Sequence, residues 1–193
     1  FKIVGGLMIY SLMANPAAAA FQLVRGYGRA LALAVVDSVA GSCEKALASL
    51  ADFRPLPHRL QPVAGPGTGG WINDSISTTP YATLAALEAC PVAPVLICGG
   101  MERGAQWDQV CAHCAARPLA GLVLLPDNGP DIGRSLLAAG AVSATRWVEV
   151  QDMQEAVRQA HLLAAGQAPV LMSPGAPSFP RFRDFEHRGQ SFM

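Results

Sequence analysis

Short, unbroken apolar runs alternate with longer segments of mixed polarity over the last two thirds of the chain. The runs predict strands at residues 60–63, 70–73, 95–98, 121–125, 147–150 and 170–172. The segments between them predict helices at residues 80–89, 107–116, 132–139 and 153–165. Unbroken apolar strands that alternate with helices are typical of a parallel sheet with both faces covered. The pattern therefore predicts an α/β fold with a mostly parallel sheet and helices on both faces.

A proline-rich segment separates this alternation from the residues before it. Residues 30–50 have apolar positions at helical spacing, and Pro55 and Pro57 follow closely. Proline fixes its own φ and pushes the preceding residue out of the helical region. We therefore predict a boundary here, with residues 1–55 as the tail of a preceding domain and residues 56–193 as a Rossmann-like domain.

The first residues are apolar, with no charge between Lys2 and Arg25. Such a run is compatible with a signal peptide or a weak membrane segment. Asn15 and Pro16 interrupt it, however, and the chain begins with phenylalanine rather than methionine. We therefore favour a third interpretation, in which residues 2–10 are a strand remnant of a larger protein.

Charge balance and cysteine content limit the classes of partner. The 14 Lys and Arg balance the 14 Asp and Glu, and there is no basic run, so nucleic acid is not an expected partner. The five scattered cysteines are typical of a reducing cytoplasm. Cys111 and Cys114 form a CxxC pair. Because a zinc site normally needs four ligands, we expect these thiols to pack in a helix and predict no metal site.

Two glycine patterns that would indicate nucleotide binding are not met. The segment at residues 65–70 is glycine-rich, but it lacks the Lys-Ser/Thr pair of a phosphate loop and is predicted to be a hairpin turn. No Gly-x-Gly-x-x-Gly opens a helix, which disfavours a dinucleotide-binding oxidoreductase.

A polar loop and a helix start follow the strand predicted at residues 70–73. Thr79 is expected to cap the helix, with Pro80 at its first position. The free amides of such a helix start can hold an anion. Asp74 in the loop is a candidate for contacting a ribose hydroxyl pair or Mg²⁺, and ordinary turn chemistry is the alternative.

Two further loops carry polar groups after buried strands. Arg103 follows Gly99-Gly100 and could bind a carboxylate through two hydrogen bonds, or remain solvated at the sheet edge. Ser173 and Ser178 follow the last strand. Neither lies in a Gly-x-Ser-x-Gly elbow, so hydrogen bonding to a ligand suits them better than nucleophilic catalysis.

Four motifs, taken in order, resemble the C-terminal domain of the Mur ligases, above all of the glutamate-adding members. They are Leu56-Pro57-His58-Arg59, Asn73-Asp74-Ser75 with Thr78, Gly99-Gly100 with Arg103, and Ser173-Pro174 through Ser178 followed by Phe185-Glu186-His187-Arg188-Gly189. Each motif is weak alone, but the four occur at domain-like spacing. The resemblance covers roughly residues 47–193.

The resemblance implies a role for six residues and none for a catalytic group in this segment. Arg59 and Asp74 would contact ATP, with Asp74 at the ribose. The incoming glutamate would be surrounded by Thr78, Arg103, Ser178 and Phe185. The implied reaction is activation of a carboxyl group by ATP and Mg²⁺ to an acyl phosphate, followed by attack of the glutamate amine.

The same resemblance implies a place in peptidoglycan synthesis. The acceptor would be UDP-N-acetylmuramoyl-L-alanine, and we expect D-glutamate as the amino acid and a cytoplasmic, monomeric protein without membrane contact. Arg103 stands where the family has Lys, and Ala176-Pro177 replaces another small pair, so an L-glutamate-adding variant is an alternative. A degenerate Mur-like domain that binds a nucleotide or a partner is a second alternative. Because the chain contains no GKT/S loop, we expect it to be inactive alone.

Overall fold

The computed structural model describes residues 56–193. Six strands and five helices alternate along this part of the chain. The strands are β1 (Gln61–Val63), β2 (Trp71–Asn73), β3 (Val95–Cys98), β4 (Gly121–Leu124), β5 (Trp147–Glu149) and β6 (Val170–Met172). The helices are α1 (Pro80–Ala89), α2 (Asp108–Ala116), α3 (Gly129–Ala138), α4 (Met153–Ala164) and α5 (Phe185–Phe192). The expectations for residues 1–55, including the boundary before residue 56, lie outside this range and stay predictions.

The strands form one sheet in the order β1-β2-β6-β3-β4-β5. β1 pairs antiparallel with β2, and every other neighbouring pair is parallel. The predicted α/β fold with a mostly parallel sheet is confirmed. The turn at residues 65–70 joins β1 to β2, so the hairpin prediction is confirmed as well.

The sheet is buried on both faces because its central strands are apolar at every position. All residues of β3, β4 and β6 are buried. One face packs against α1, α2 and α3, and its core includes Leu87, Val110, Leu136, Leu96, Leu122 and Leu171. The other face packs against α4 and α5, and its core includes Met153, Ala160, Phe192, Val95, Val123 and Val170. Neighbouring strand residues therefore belong to opposite cores, as a period of two requires.

Local signals set the helix boundaries. The side chain of Thr79 accepts a hydrogen bond from the amide of Ala82, and Pro80 begins α1, as predicted. Asp152 caps α4 by accepting from the amide of Glu155 at 2.8 Å. Helix α3 begins at Gly129, three residues before the predicted start at residue 132. The reason is Pro130, whose fixed φ suits the first turn of a helix although it resembles a loop signal in the sequence.

No helix within residues 56–193 is long and apolar enough to cross a membrane. The cysteines of this range are all free thiols. Cys98 and Cys114 are buried, and burial raises the pKa of the Cys114 thiol to about 12. Cys114 belongs to the core around α2 and Cys111 packs against it, so the CxxC pair packs in a helix as predicted. Residues 56–193 contain no group of three side chains that could hold a metal ion.

Candidate functional site

Three polar loops meet at the carboxyl end of the sheet. They follow β2, β6 and β3, which are parallel neighbours, so all three leave the sheet at the same edge. The amide of Gly175 donates to the carbonyl of Ser77 at 3.0 Å, and the amide of Met101 donates to the carbonyl of Pro177 at 3.1 Å. The loop after β6 therefore lies between the other two and is fixed to both.

The side chain of Arg188 on α5 forms hydrogen bonds to two of these loops. Only 1% of its surface is exposed. Its Nε donates to Ser75 Oγ at 3.1 Å, and its Nη2 donates to the carbonyl of Ser75 at 2.8 Å. Its Nη1 donates to the carbonyl of Ala176 at 2.8 Å. One guanidinium thus joins the loop after β2, the loop after β6 and α5.

The guanidinium of Arg188 is a buried charge without a carboxylate partner. Burial lowers its pKa to about 10, so it stays protonated at neutral pH. All three of its hydrogen-bond acceptors are neutral oxygens. No ion pair to it exists within residues 56–193. A buried charge of this kind is costly unless an opposite charge approaches it.

A pocket of about 180 Å³ opens beside Arg188. It is formed by the segments that follow β3, β4, β5 and β6, and therefore lies at the carboxyl edge, where ligands bind in open α/β sheets. It is lined by Gly99, Gly100, Leu125, Pro126, Asp127, Gln151, Asp152, Met153, Ser178, Arg181, Phe182 and Arg188.

A second guanidinium stands at this pocket in an ion pair. Arg181 donates to the carboxylate of Asp127 through Nε and Nη2, at 3.1 to 3.2 Å. The Arg181 side chain is 46% exposed, in contrast to Arg188. Asp127 has a φ of +75°, an uncommon conformation for a residue other than glycine. The loop after β4 therefore turns sharply to present this carboxylate to Arg181.

Of the four residues expected around glutamate, Ser178 alone lines the pocket. Phe185 begins α5 one turn before Arg188, and its carbonyl accepts from Ser75 Oγ at 2.7 Å. Its ring packs edge-on against His58, with ring centres 6.2 Å apart. Thr78 and Arg103 are exposed in the flanking loops and do not line the pocket. All four lie at the same end of the sheet, and their roles toward a substrate stay predictions.

The two residues expected to contact ATP differ in access. Arg59 is exposed. Asp74 is 2% exposed, and its carboxylate accepts from Ser77 Oγ at 2.5 Å, from Ser173 Oγ at 2.8 Å and from the amide of Leu60 at 3.1 Å. Desolvation raises the pKa of Asp74 in spite of these bonds. In this arrangement the carboxylate connects the loops, and its contact with the ribose of ATP stays a prediction.

The sequence patterns assign no role to several residues of the pocket. Arg188 belonged to a motif, but its burial depends on the register of α5, which no periodicity reveals. Asp127 and Arg181 are 54 residues apart, so only the fold brings them together. The one sequence signal was the cluster of arginines at residues 181, 183 and 188 beside the last strand.

No protein-family model matches the chain. Among curated proteins it is 39% identical over 163 residues to a "UDP-N-acetylmuramoyl-L-alanine--L-glutamate ligase" of a Micromonospora species, covering 84% of the chain and 35% of the relative. It is 41% identical over 164 residues to the protein of that name from Xanthomonas campestris, with 83% and 35% covered. A relative of the same name from Xylella fastidiosa is 40% identical over 146 residues, with 73% and 31% covered.

The chain thus spans about a third of the length of the curated relatives it matches. The match includes most of the chain, and the parallel sheet agrees with the fold that the four motifs implied. The chain belongs to the Mur ligase family and corresponds to the C-terminal part of its glutamate-adding members.

Proposed function

We propose that this chain is the amino-acid-binding part of an ATP-dependent ligase that joins glutamate to UDP-N-acetylmuramoyl-L-alanine in peptidoglycan synthesis. The observation that carries the proposal is that the four family motifs lie at one sheet edge, where residues of two of them, including the buried guanidinium of Arg188, line a pocket. The names of the relatives support the reaction and its two substrates. The cytoplasm is its proposed location.

We further propose that the amino acid is L-glutamate. The sequence alone predicts D-glutamate, with L-glutamate as an alternative that the Arg103 and Pro177 positions favour. The relatives cited above are all named as L-glutamate ligases, and this supports the alternative. The choice is open to direct measurement, because the enantiomers differ only in the placement of groups around one carbon.

In this proposal the described residues bind and orient glutamate, while ATP and Mg²⁺ are held mainly elsewhere in the protein. ATP would supply the phosphoryl group that activates the acceptor carboxyl. Arg59, which is exposed, and Asp74, which is buried, would contact ATP, with Asp74 at the ribose. The described part contributes by holding the amine in line with the activated carboxyl, since orientation lowers the entropic cost of the reaction.

Four side chains surround the amino acid in this proposal. Ser178 offers a hydroxyl at the pocket, and Phe185 lies at the start of α5, where its ring packs edge-on against His58. Thr78 and Arg103 reach in from the flanking loops, where both are free to move toward a ligand because they are exposed. Arg103 would pair with the carboxylate that remains outside the pocket.

The test is a ligation assay with the full-length protein that contains this chain. We expect release of ADP only when UDP-N-acetylmuramoyl-L-alanine and L-glutamate are both present, with D-glutamate a poor substitute. Preference for D-glutamate would reverse the proposed specificity and keep the ligase. No ligation with either enantiomer, together with retained nucleotide binding, would favour the degenerate binding domain.

A further inference from the structure

We propose that the pocket beside Arg188 binds the side-chain carboxylate of the incoming glutamate, with Arg188 and Arg181 as its two cationic contacts. The inference rests on the proposed function and deepens it, because it assigns the recognition of the glutamate side chain to residues outside the four expected ones. Its basis is an unpaired buried charge, a pocket that reaches it, and a second guanidinium at the pocket.

The guanidinium of Arg188 is charged and has no carboxylate partner among residues 56–193. A guanidinium has five N–H donors, and Arg188 uses three of them on Ser75 and Ala176. The pocket is lined by Arg188, so a ligand in it would lie next to this side chain. A ligand carboxylate would supply the negative charge that residues 56–193 do not provide.

Gly100 keeps the approach to Arg188 open. A Cβ at this position would lie 2.6 Å from the carbonyl oxygen of Pro177 and 3.4 Å from Nη1 of Arg188. Gly100 also has a φ of +154°, which residues with side chains rarely adopt. The glycine therefore adds no side-chain atom of its own to the space between Pro177, Ala176 and the guanidinium.

The second cation does not need to leave its partner in order to bind. Arg181 uses Nε and Nη2 on Asp127, and its Nη1 has no hydrogen bond to any residue of the described range. A carboxylate between Arg181 and Arg188 would therefore meet donors from both sides, and Ser178 adds a hydroxyl.

The geometry of the reaction decides which end of glutamate enters the pocket. Asp127 and Asp152 also line it, and Asp127 is already paired with Arg181. The α-amine must remain accessible to the activated carboxyl, so the side-chain end of glutamate is the part that enters the pocket, with its carboxylate toward the two guanidiniums.

The experiment compares Arg181→Met, Arg188→Lys and a control, Arg183→Met, in the full-length ligase. Arg183 lies on the same segment but is 77% exposed and does not line the pocket. We expect the first two variants to raise KM for L-glutamate by about 10- to 100-fold, since each loses a charge-assisted contact. KM for ATP should stay unchanged, and the control should behave like wild type.

L-glutamine identifies the carboxylate involved. It lacks only the side-chain charge, so wild type should strongly prefer glutamate, and Arg181→Met should reduce that preference. Wild-type KM values in both pocket variants, or an unchanged preference over glutamine, would overturn the proposal. If Arg188→Lys does not fold, Arg181→Met decides alone, because its exposed side chain is not part of the core.

The two proposals fail in different ways. Wild type that ligates neither enantiomer would contradict the ligase function. The pocket would then be judged by calorimetric titration of L-glutamate into wild type and Arg181→Met. Weaker binding to the variant would support the carboxylate site, and equal binding or none would overturn it.

Discussion

Arg188 and Ser75 lie 113 residues apart in sequence and are joined by two hydrogen bonds, one to the Ser75 hydroxyl and one to its carbonyl oxygen. The same hydroxyl donates to the carbonyl of Phe185. These bonds connect the last helix to the loop after β2, and Arg188 extends the connection to Ala176 in the loop after β6. The shape of the candidate site therefore depends on a charged side chain in the interior.

Replacing Arg188 by methionine is expected to destabilise the protein. Arg188→Met would leave the carbonyls of Ser75 and Ala176 buried without donors, at a cost of roughly 2–4 kcal/mol in the free energy of unfolding. Chemical denaturation of wild type and variant measures the difference. The exposed control, Arg183→Met, should change the free energy by less than about 0.5 kcal/mol. Equal effects of the two substitutions would show that the buried bonds contribute nothing.

Asp74 is expected to give an unusual pH dependence of stability. Burial raises its pKa above the ordinary value of 3.8. The Asp74 carboxylate therefore takes up a proton more readily in the folded state than in the unfolded state. The contribution of Asp74 to the free energy of unfolding falls as the pH rises from 3.8 through the raised pKa. Compared with Asp74→Asn, wild type should gain stability as the pH is lowered from 7 toward 4. Denaturation curves across this range test the sign.

Asp184 serves as a control because its pKa is shifted in the opposite direction. The amide of His187 and the side chain of Arg183 donate to it and lower its pKa below 3.8. The contribution of Asp184 to the free energy of unfolding is present above pH 3.8 and is lost as the pH falls through the lowered pKa. Compared with Asp184→Asn, wild type should lose stability on acidification. Parallel trends for the two aspartates would contradict the assignment.

Gly100 and Gly140 differ both in crowding and in backbone conformation. Their φ values are +154° and +71°, and a Cβ at Gly140 would meet nothing within 4 Å. Gly140→Ala should cost about 1 kcal/mol from conformation alone. Gly100→Ala should cost roughly 2–3 kcal/mol, because its φ is less accessible to alanine and its Cβ would press on the carbonyl of Pro177. Thermal or chemical denaturation of the two variants checks the order, and a larger loss for Gly140→Ala would refute it.

The sequence predicts that Arg103 contacts the incoming glutamate. On the proposed function, Arg103→Ala in the full-length protein should lower kcat/KM for glutamate by about 30- to 1000-fold, because a charge-assisted contact is lost. KM for ATP should change little. Steady-state kinetics with each substrate varied in turn provides the measurement. Unchanged glutamate kinetics would leave Arg103 as a solvated residue.

Local signals in the sequence predicted most of the fold and less of the site. The bounds of β3, β6 and α1 agree with the prediction, since continuous apolar runs and the Thr79-Pro80 start are encoded locally. The sequence also placed Ser178 after the last strand, where the pocket lies. It did not reveal that Arg188 is buried or that Arg181 meets Asp127, because those contacts depend on how distant loops pack over the sheet.

The central claim is that this part of the chain positions glutamate for ligation. The most direct measurement is the rate of ADP release by the full-length protein with UDP-N-acetylmuramoyl-L-alanine, ATP, and either L- or D-glutamate. The account predicts release that depends on the acceptor and saturates with L-glutamate. An absence of any glutamate-dependent release, in protein that is folded and binds ATP, would contradict it.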